Sequence, residues 1–208
     1  VSGNVSFYNE TQNRAISPPP TIGGVGLIKN LDNMVTENLK EIGSLIFVVG
    51  KTLGHLYQSE FFREVMKIND GPPPEINLFN EKNNGLIVQK LISKKLVNSV
   101  HDISSGGILV ALTEMCVSGK IGAKIKIPHN NIDSHEYLFG EDQSRYLIEI
   151  SEKNKDKAIN FIQKNSIYYE AIGMTQKDSL DLDNEFKINL ADLNEWRSFW
   201  FKNYFKEN

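Results

Sequence analysis

Several features that would assign the chain to a particular class of protein are scarce or missing. The 208 residues include one cysteine, Cys116, so an internal disulfide is excluded and a reducing cytoplasm is the expected location. No uninterrupted apolar run approaches the roughly 18 residues of a membrane span, so we expect no membrane partner. The net charge is −3, and without a basic surplus we expect no nucleic-acid partner.

The remaining composition is that of a globular protein. Hydrophobic residues make up 40% of the chain and charged residues 24%, which allows a substantial core. At about 150 residues per domain, the length indicates one domain and part of another. The polar stretch 29–40 separates them, so we expect an N-terminal part over residues 1–32 and a main domain over residues 33–208.

The beginning of the chain predicts a strand with one polar face. Side chains alternate between the two faces of a strand, so Asn4 and Ser6 fall on one side and Val5 and Phe7 on the other. Gly3 leaves the backbone open to a ligand. Because residues two apart in a strand lie about 7 Å apart, Asn4 and Ser6 could contact adjacent parts of one ligand.

After residue 40 the sequence alternates between strand and helix patterns, which predicts an α+β fold. Strands are predicted over 45–49, 100–103, 123–127, 146–150 and 168–174, and over 21–28 in the N-terminal part. Helices are predicted over 59–68, 84–93, 108–117 and 156–164. A C-terminal helix would carry an aromatic stripe that packs on the body of the protein, comprising Trp196, Trp200, Phe201, Tyr204 and Phe205.

The stretch 101–107 (His-Asp-Ile-Ser-Ser-Gly-Gly) predicts a short strand, a turn and the start of a helix. Ser104 or Ser105 could cap that helix, and the glycines would let it pack closely. Alternatively, the free N–H groups at the helix start could bind an anion. We interpret His101 as a structural histidine and Cys116, within the apolar helix, as an unreactive core residue.

A second polar stretch, Glu141-Asp142-Gln143 followed by Arg145, precedes the strand predicted over 146–150. Gln143 and Arg145 could orient a phosphate or a ribose. In the other interpretation, the stretch is a turn whose carboxylates pair with Arg145. The residue types allow both.

Four stretches occur in the order found in one enzyme family: 3–11 (Gly-Asn-Val-Ser-Phe-Tyr-Asn-Glu-Thr), 20–26 (Pro-Thr-Ile-Gly-Gly-Val-Gly), 101–107 and 138–143 (Leu-Phe-Gly-Glu-Asp-Gln). From Val1 to about Gly173, the chain resembles the large subunit of phosphoribosylformylglycinamidine synthase, in the aminoimidazole-ribonucleotide-synthetase-like superfamily. The resemblance implies that residues 1–32 are the last strands of a truncated α/β nucleotide-binding half-domain. Residues 33–208 would then be the C-terminal α+β domain of this fold.

The resemblance also implies a function. The family is a ligase of purine biosynthesis that uses ATP to activate the formyl-amide oxygen of formylglycinamide ribonucleotide. Ammonia, released from glutamine by a separate amidotransferase subunit, then displaces phosphate. The implied roles are ATP binding for Gly3, Mg²⁺ binding for Asn4 and ribonucleotide binding for Ser6, with no catalytic residue in this chain. The implied partners are the preceding part of the same subunit, the amidotransferase and a small accessory subunit, so the chain alone should be inactive.

At two points this sequence departs from the sequence pattern of the family. Ser105 stands where the family usually has an acidic residue. Glu141-Asp142-Gln143 resembles the counterpart of a substrate-contacting Glu-Ser-Gln stretch in the other half of the family, which implies a degenerate second site. Two alternatives therefore stay open: a non-catalytic nucleotide-binding or scaffolding module, and another superfamily member such as selenophosphate synthetase or thiamine-phosphate kinase.

Overall fold

The computed structural model describes residues 10–11, 14–15, 23–28, 30–128, 131–183 and 185–205. The chain divides into two compact units, Val1–Leu31 and Asp32–Asn208. In the first unit, strand β1 (Glu10–Thr11) pairs antiparallel with β2 (Arg14–Ala15). The strand predicted at the start of the chain lies outside the described residues.

The strand predicted over 21–28 is wrong for its described part. Residues 23–28 adopt no regular secondary structure and are exposed. A strand needs a neighbour that completes its hydrogen-bond ladder, and neither of the two sheets found among the described residues includes this segment. A period-two pattern in the sequence does not show whether a neighbouring strand is present.

The second unit is built on one seven-stranded mixed sheet, which confirms the predicted α+β class. Its strand order is β4-β6-β3-β7-β5-β8-β9, and all pairs are antiparallel except β5 with β8. The strands are β3 (Leu45–Val49), β4 (Ser99–Asp102), β5 (Gly122–Ile125), β6 (Tyr146–Ile150), β7 (Tyr169–Gln176), β8 (Ser179–Leu182) and β9 (Phe186–Asn189).

Among the described residues, five α-helices accompany the sheet: α1 (Leu78–Ser93), α2 (Gly107–Gly119), α3 (Ser134–Phe139), α4 (Lys155–Lys164) and α5 (Leu190–Tyr204). Short 3-10 turns occupy Leu31–Asn33 and Glu152–Asn154, and Phe61–Val65 forms a π-helical turn. No helix in the described part of the chain is both long and apolar enough to cross a bilayer.

Strand β3 shows how the apolar residues are distributed. Ile46 and Val48 belong to one core cluster, with helices α2, α3 and α5. Phe47 and Val49 belong to a second cluster, with α1 and α4. Successive side chains of a strand point to opposite faces, so a strand covered on both faces reads as one continuous apolar run. The predicted strand over 45–49 is confirmed for this reason.

Three helix predictions need correction at their ends. Helix α1 begins six residues before the predicted 84, because the side chain of Asn77 accepts a hydrogen bond from the N–H of Asn80 and caps it. The helix predicted over 59–68 is only the π-helical turn. Helix α2 ends two residues after the predicted 117, where Lys120 takes the left-handed conformation with φ 54°.

The side chains of the α5 aromatic stripe that the structure describes do not pack on the body as predicted. Leu193 is buried, but Trp196, Phe201 and Phe205 are each about 60% exposed. The rings of Phe201 and Phe205 contact each other, with centroids 4.6 Å apart. Aromatic spacing along a helix therefore did not distinguish a buried face from one that is left open.

Candidate functional site

A cleft of about 480 Å³ opens in the second unit where β3 ends. Its walls are the turn that follows β3, the start of α1 and the loop that precedes β6. The residues that line it are Lys51, Leu53, Gly54, His55, Leu56, Tyr57, Phe62, Glu75, Asn77, Asn80, Asn84, Glu136, Asp142, Gln143 and Ser144. This volume is in the range of small-molecule sites.

One wall of the cleft consists of amide side chains. Asn77, Asn80 and Asn84 recur at helical spacing, so they follow one face at the start of α1. The buried Asn84 donates through Nδ2 to the carbonyl of Ser144 at 2.8 Å and ties α1 to the loop before β6. Ser144 itself is held in the left-handed region, with φ 56°.

Three polar groups of the cleft are free to meet a ligand. The side-chain amides of Asn80 and Gln143 and the ammonium of Lys51 make no hydrogen bond to any residue that the structure describes. All three residues are exposed. The cleft therefore offers a cation and two amides that bind neither each other nor the surrounding chain.

The carboxylate of Asp142 lies at the base of the cleft and is 5% exposed. Its Oδ2 accepts hydrogen bonds from the backbone N–H groups of Leu53 and Gly54, both at 2.9 Å. Its Oδ1 accepts a third from the N–H of His55, at 3.2 Å. Asp142 thus fixes the turn that follows β3.

Arg145 lies beneath this turn and is 1% exposed. Its guanidinium donates to the carbonyls of Gly140 (2.6 Å) and Asp142 (3.1 Å) and to the hydroxyl of Thr52 (3.1 Å), and Nη1 lies 3.8 Å from Asp142 Oδ2. Burial lowers the pKa of Arg145, and the negative charge of Asp142 opposes this shift. Arg145 does not line the cleft. The structure therefore shows the second interpretation of this stretch, a turn in which the carboxylate of Asp142 pairs with Arg145.

The side chain of Glu141 occupies the start of helix α2, where the sequence allowed the binding of an anion. Its Oε1 accepts from the N–H groups of Gly106 and Glu60, each at 2.8 Å. Neither Ser104 nor Ser105 caps α2, so that prediction is wrong. A carboxylate from the chain itself therefore binds the N-cap residue at the start of α2.

The two other titratable residues singled out in the sequence have structural environments. The thiol of Cys116 is fully buried, and burial raises its pKa to about 12, which confirms an unreactive core residue. His101 Nε2 lies 3.2 Å from Glu114 Oε2, whereas the buried Nδ1 has no hydrogen-bond partner among the described residues. His101 therefore has a structural contact, as predicted, through its Nε2 atom.

Gly3, Asn4 and Ser6, the predicted ATP, metal and ribonucleotide residues, lie outside the described residues. Within the described part, one group could hold a metal ion: Asp133, His135 and Glu136, whose ligand atoms lie within 4.8 Å of one another. Asp133 and Glu136 already form the capping box of α3, which accounts for their proximity. His135 lies in the first turn of α3.

Sequence reasoning missed the turn after β3. Two signals could have located it. Gly50 and Gly54 both adopt positive φ, at 96° and 81°, and a side chain at Gly50 would meet the Ser144 carbonyl at 2.5 Å. The three asparagines of α1 were the second signal, because polar amides at helical spacing are unusual on a face that packs on a sheet.

Comparisons with known proteins agree on one family. The family model described as AIR synthase related protein, C-terminal domain, matches residues 41–182. The chain is 51% identical, over 98% of its length, to the phosphoribosylformylglycinamidine synthase subunit PurL of Pelagibacter ubique, of which it covers 28%. It is 38% identical to the PurL subunit of Rhodopseudomonas palustris strain BisB5, with the same two coverages.

Solved structures with the same fold come from Thermotoga maritima. PurL complexed with FGAR matches 79% of this chain and 30% of that one, with a TM-score of 0.65 and 17% identity. PurLQS matches 79% of this chain and 28% of that one, with a TM-score of 0.61 and 18% identity. At these identities the likeness concerns the fold.

Proposed function

From the premise that the chain belongs to the AIR synthase related protein, C-terminal domain family, we propose that it works as the C-terminal part of a phosphoribosylformylglycinamidine synthase large subunit. The predicted resemblance to this synthase is confirmed. The 51% identity across 98% of the chain is the observation that carries the proposal. The chain spans 28% of the length of the PurL relatives that it matches, so the activity belongs to a longer protein.

In the proposed reaction, ATP activates the formyl-amide oxygen of formylglycinamide ribonucleotide. Ammonia from glutamine then displaces that oxygen as phosphate. We assign ATP contact to Gly3, Mg²⁺ to Asn4 and the ribonucleotide to Ser6. An amide oxygen is a hard ligand suited to Mg²⁺, which neutralises charge on a transferred phosphoryl group. The T. maritima PurL structures in complex with ATP and with FGAR support these ligand classes.

The partners follow from the same proposal. Residues 1–32 complete a nucleotide-binding half-domain whose remainder lies in the preceding part of the subunit, and residues 33–208 form the C-terminal domain. A glutamine amidotransferase subunit supplies ammonia, and a small accessory subunit is a further partner, an arrangement supported by the T. maritima PurLQS structure. The complex works in the cytoplasm, where a free thiol such as Cys116 stays reduced.

The proposal predicts that the isolated chain binds Mg-ATP weakly and releases no phosphate above background. Half of the nucleotide site would be contributed by the preceding part of the subunit. The alternatives of a selenophosphate synthetase or a thiamine-phosphate kinase are disfavoured by the 51% identity to a PurL subunit.

Genetic complementation tests the proposal. A hybrid gene, in which this chain replaces the matching segment of the P. ubique subunit, is introduced into a bacterium that lacks its own large subunit. We expect growth without added purines. Asn4→Ala should slow this growth, whereas Lys153→Ala, an exposed change on a 3-10 turn, should not. A stable hybrid that fails to support growth would contradict the assignment.

A further inference from the structure

The turn after β3 has the backbone geometry of an anion site. Three successive N–H groups, those of Leu53, Gly54 and His55, converge on one carboxylate at 2.9, 2.9 and 3.2 Å. Consecutive N–H groups that point into one concavity form a nest that binds anions such as phosphate. Here the anion is supplied by Asp142, 87–89 residues further along the chain.

Arg145 adds a fixed positive charge to this nest. Its Nη1 lies 3.8 Å from Asp142 Oδ2, and its other acceptors are the neutral oxygens of Gly140, Thr52 and the Asp142 backbone. Asp142 exerts the largest negative charge on Arg145 and Glu141 a smaller one. Removing the nearest negative partner of a buried guanidinium is strongly destabilising. The site therefore requires an anion, whether from the chain or from solution.

The nest opens onto the cleft, because Leu53, Gly54, His55 and Asp142 all line it. The ammonium of Lys51, which has no partner among the residues that the structure describes, favours a further negative charge there. Two acidic residues, Glu75 and Glu136, also line the cleft, and Glu136 accepts a hydrogen bond from the N–H of Asp133. The volume of about 480 Å³ leaves room for a small polar molecule beside the nest.

We propose that the Leu53–His55 turn and Arg145 form a phosphate subsite that the Asp142 carboxylate fills, so that this cleft excludes phosphate esters. A phosphate presents enough oxygens for all three N–H groups and the guanidinium, and such charge-assisted bonds are strong. Asp142 is thus a specificity-determining residue. Removing its carboxylate should convert the cleft into a site for a sugar phosphate.

The test uses Asp142→Ser in the full 208-residue chain, with thermal unfolding measured in chloride, inorganic phosphate or ribose 5-phosphate at matched ionic strength. Without phosphate, the variant should unfold at a lower temperature than the unsubstituted chain. At ten times the dissociation constant, either phosphate compound should raise its midpoint by about 3–6 °C. The unsubstituted chain should respond equally to phosphate and chloride.

Amide NMR spectra locate the site. On addition of phosphate to the variant, the resonances of Leu53, Gly54 and His55 should move, whereas those of an unrelated turn, such as Glu152–Asn154, should not. Equal midpoints in phosphate and chloride would overturn the proposal. A response to inorganic phosphate without one to ribose 5-phosphate would overturn the part that concerns esters.

Loss of the fold is also informative. If Asp142→Ser does not fold in chloride, its refolding and that of Asp142→Ala are followed by circular dichroism with and without phosphate. Recovery in phosphate alone would support an anion subsite. No recovery in phosphate for either variant would contradict it.

Discussion

Glu149 on β6 offers the sharpest test of how the sheet is held to the segment that precedes it. Its side chain is fully buried. The backbone N–H groups of Lys40 and Glu41 donate to its two carboxylate oxygens at 2.9 and 3.0 Å, and the hydroxyl of Ser99 donates at 2.8 Å. One carboxylate thus joins β6, β4 and the chain that leads into β3.

Glu149→Ala would remove these three charge-assisted hydrogen bonds, together with a longer one (3.5 Å) from Asn98 Nδ2, and leave their donors unsatisfied. Each such bond contributes about 1.5–3 kcal/mol, but water can reach the partly buried Lys40 and Glu41 N–H groups and recover part of it. We therefore expect the free energy of unfolding to fall by about 3–5 kcal/mol, within the range for breaking a buried charged network. Glu149→Gln, which keeps one acceptor oxygen, should lose less.

Urea unfolding followed by circular dichroism measures this loss. With a slope of about 2 kcal/mol per M, the midpoint of Glu149→Ala should fall by about 1.5–2.5 M. The control is Glu152→Ala, a nearby carboxylate in an exposed pair with Lys155, which should change the free energy by under about 0.5 kcal/mol. A loss below about 1 kcal/mol for Glu149→Ala would show that the hydrogen bonds of this carboxylate do not hold the segment.

Three further predictions concern the core and its edges. Gly107→Ala should lower the free energy of unfolding by about 2–4 kcal/mol, measured in urea, because φ is +70° and the new Cβ would lie 2.7 Å from the Leu138 carbonyl. Leu193→Ala should lower the free energy of unfolding by about 2–3 kcal/mol, and Phe201→Ala by under about 0.5 kcal/mol, because only Leu193 is buried. Equal losses for the two variants in thermal or urea unfolding would mean that the aromatic stripe does pack. Cys116, with its pKa raised to about 12, should resist alkylation at pH 8 until the chain is unfolded, and fast labelling of the folded chain would contradict its burial. Because the raised pKa belongs to the folded state, the stability from this thiol should be complete below pH 9 and should decline as pH rises toward 12.

Local pattern was sufficient where burial is simple. Strand β3 is covered on both faces, and α2 is apolar almost throughout, so each could be predicted from its own residues. Strands β8 and β9 were missed, because their stability comes from pairing within the sheet and not from a pattern in their own residues. The residues of a four-residue strand do not indicate which strand it pairs with.

The cleft was predictable only in part. The stretch 141–143 was identified as polar and potentially functional, and it does border or support the cleft. Its chemistry depends on distant partners: Asp142 meets the turn at Leu53, and Glu141 meets Glu60 and Gly106. No local spacing reveals that these carboxylates face backbone N–H groups of the chain rather than a ligand.

The most direct test of the central claim is the steady-state rate of the hybrid subunit with ATP, formylglycinamide ribonucleotide and ammonia. The account predicts ammonia-dependent phosphate release by the hybrid and a rate about 10–100-fold lower for Asn4→Ala at limiting magnesium, partly restored by excess magnesium. Ser6→Ala should instead raise the KM for the ribonucleotide with little change in kcat. A hybrid whose turnover is unaffected by both substitutions at low magnesium and low ribonucleotide would contradict the claim that this chain contributes to the synthase site.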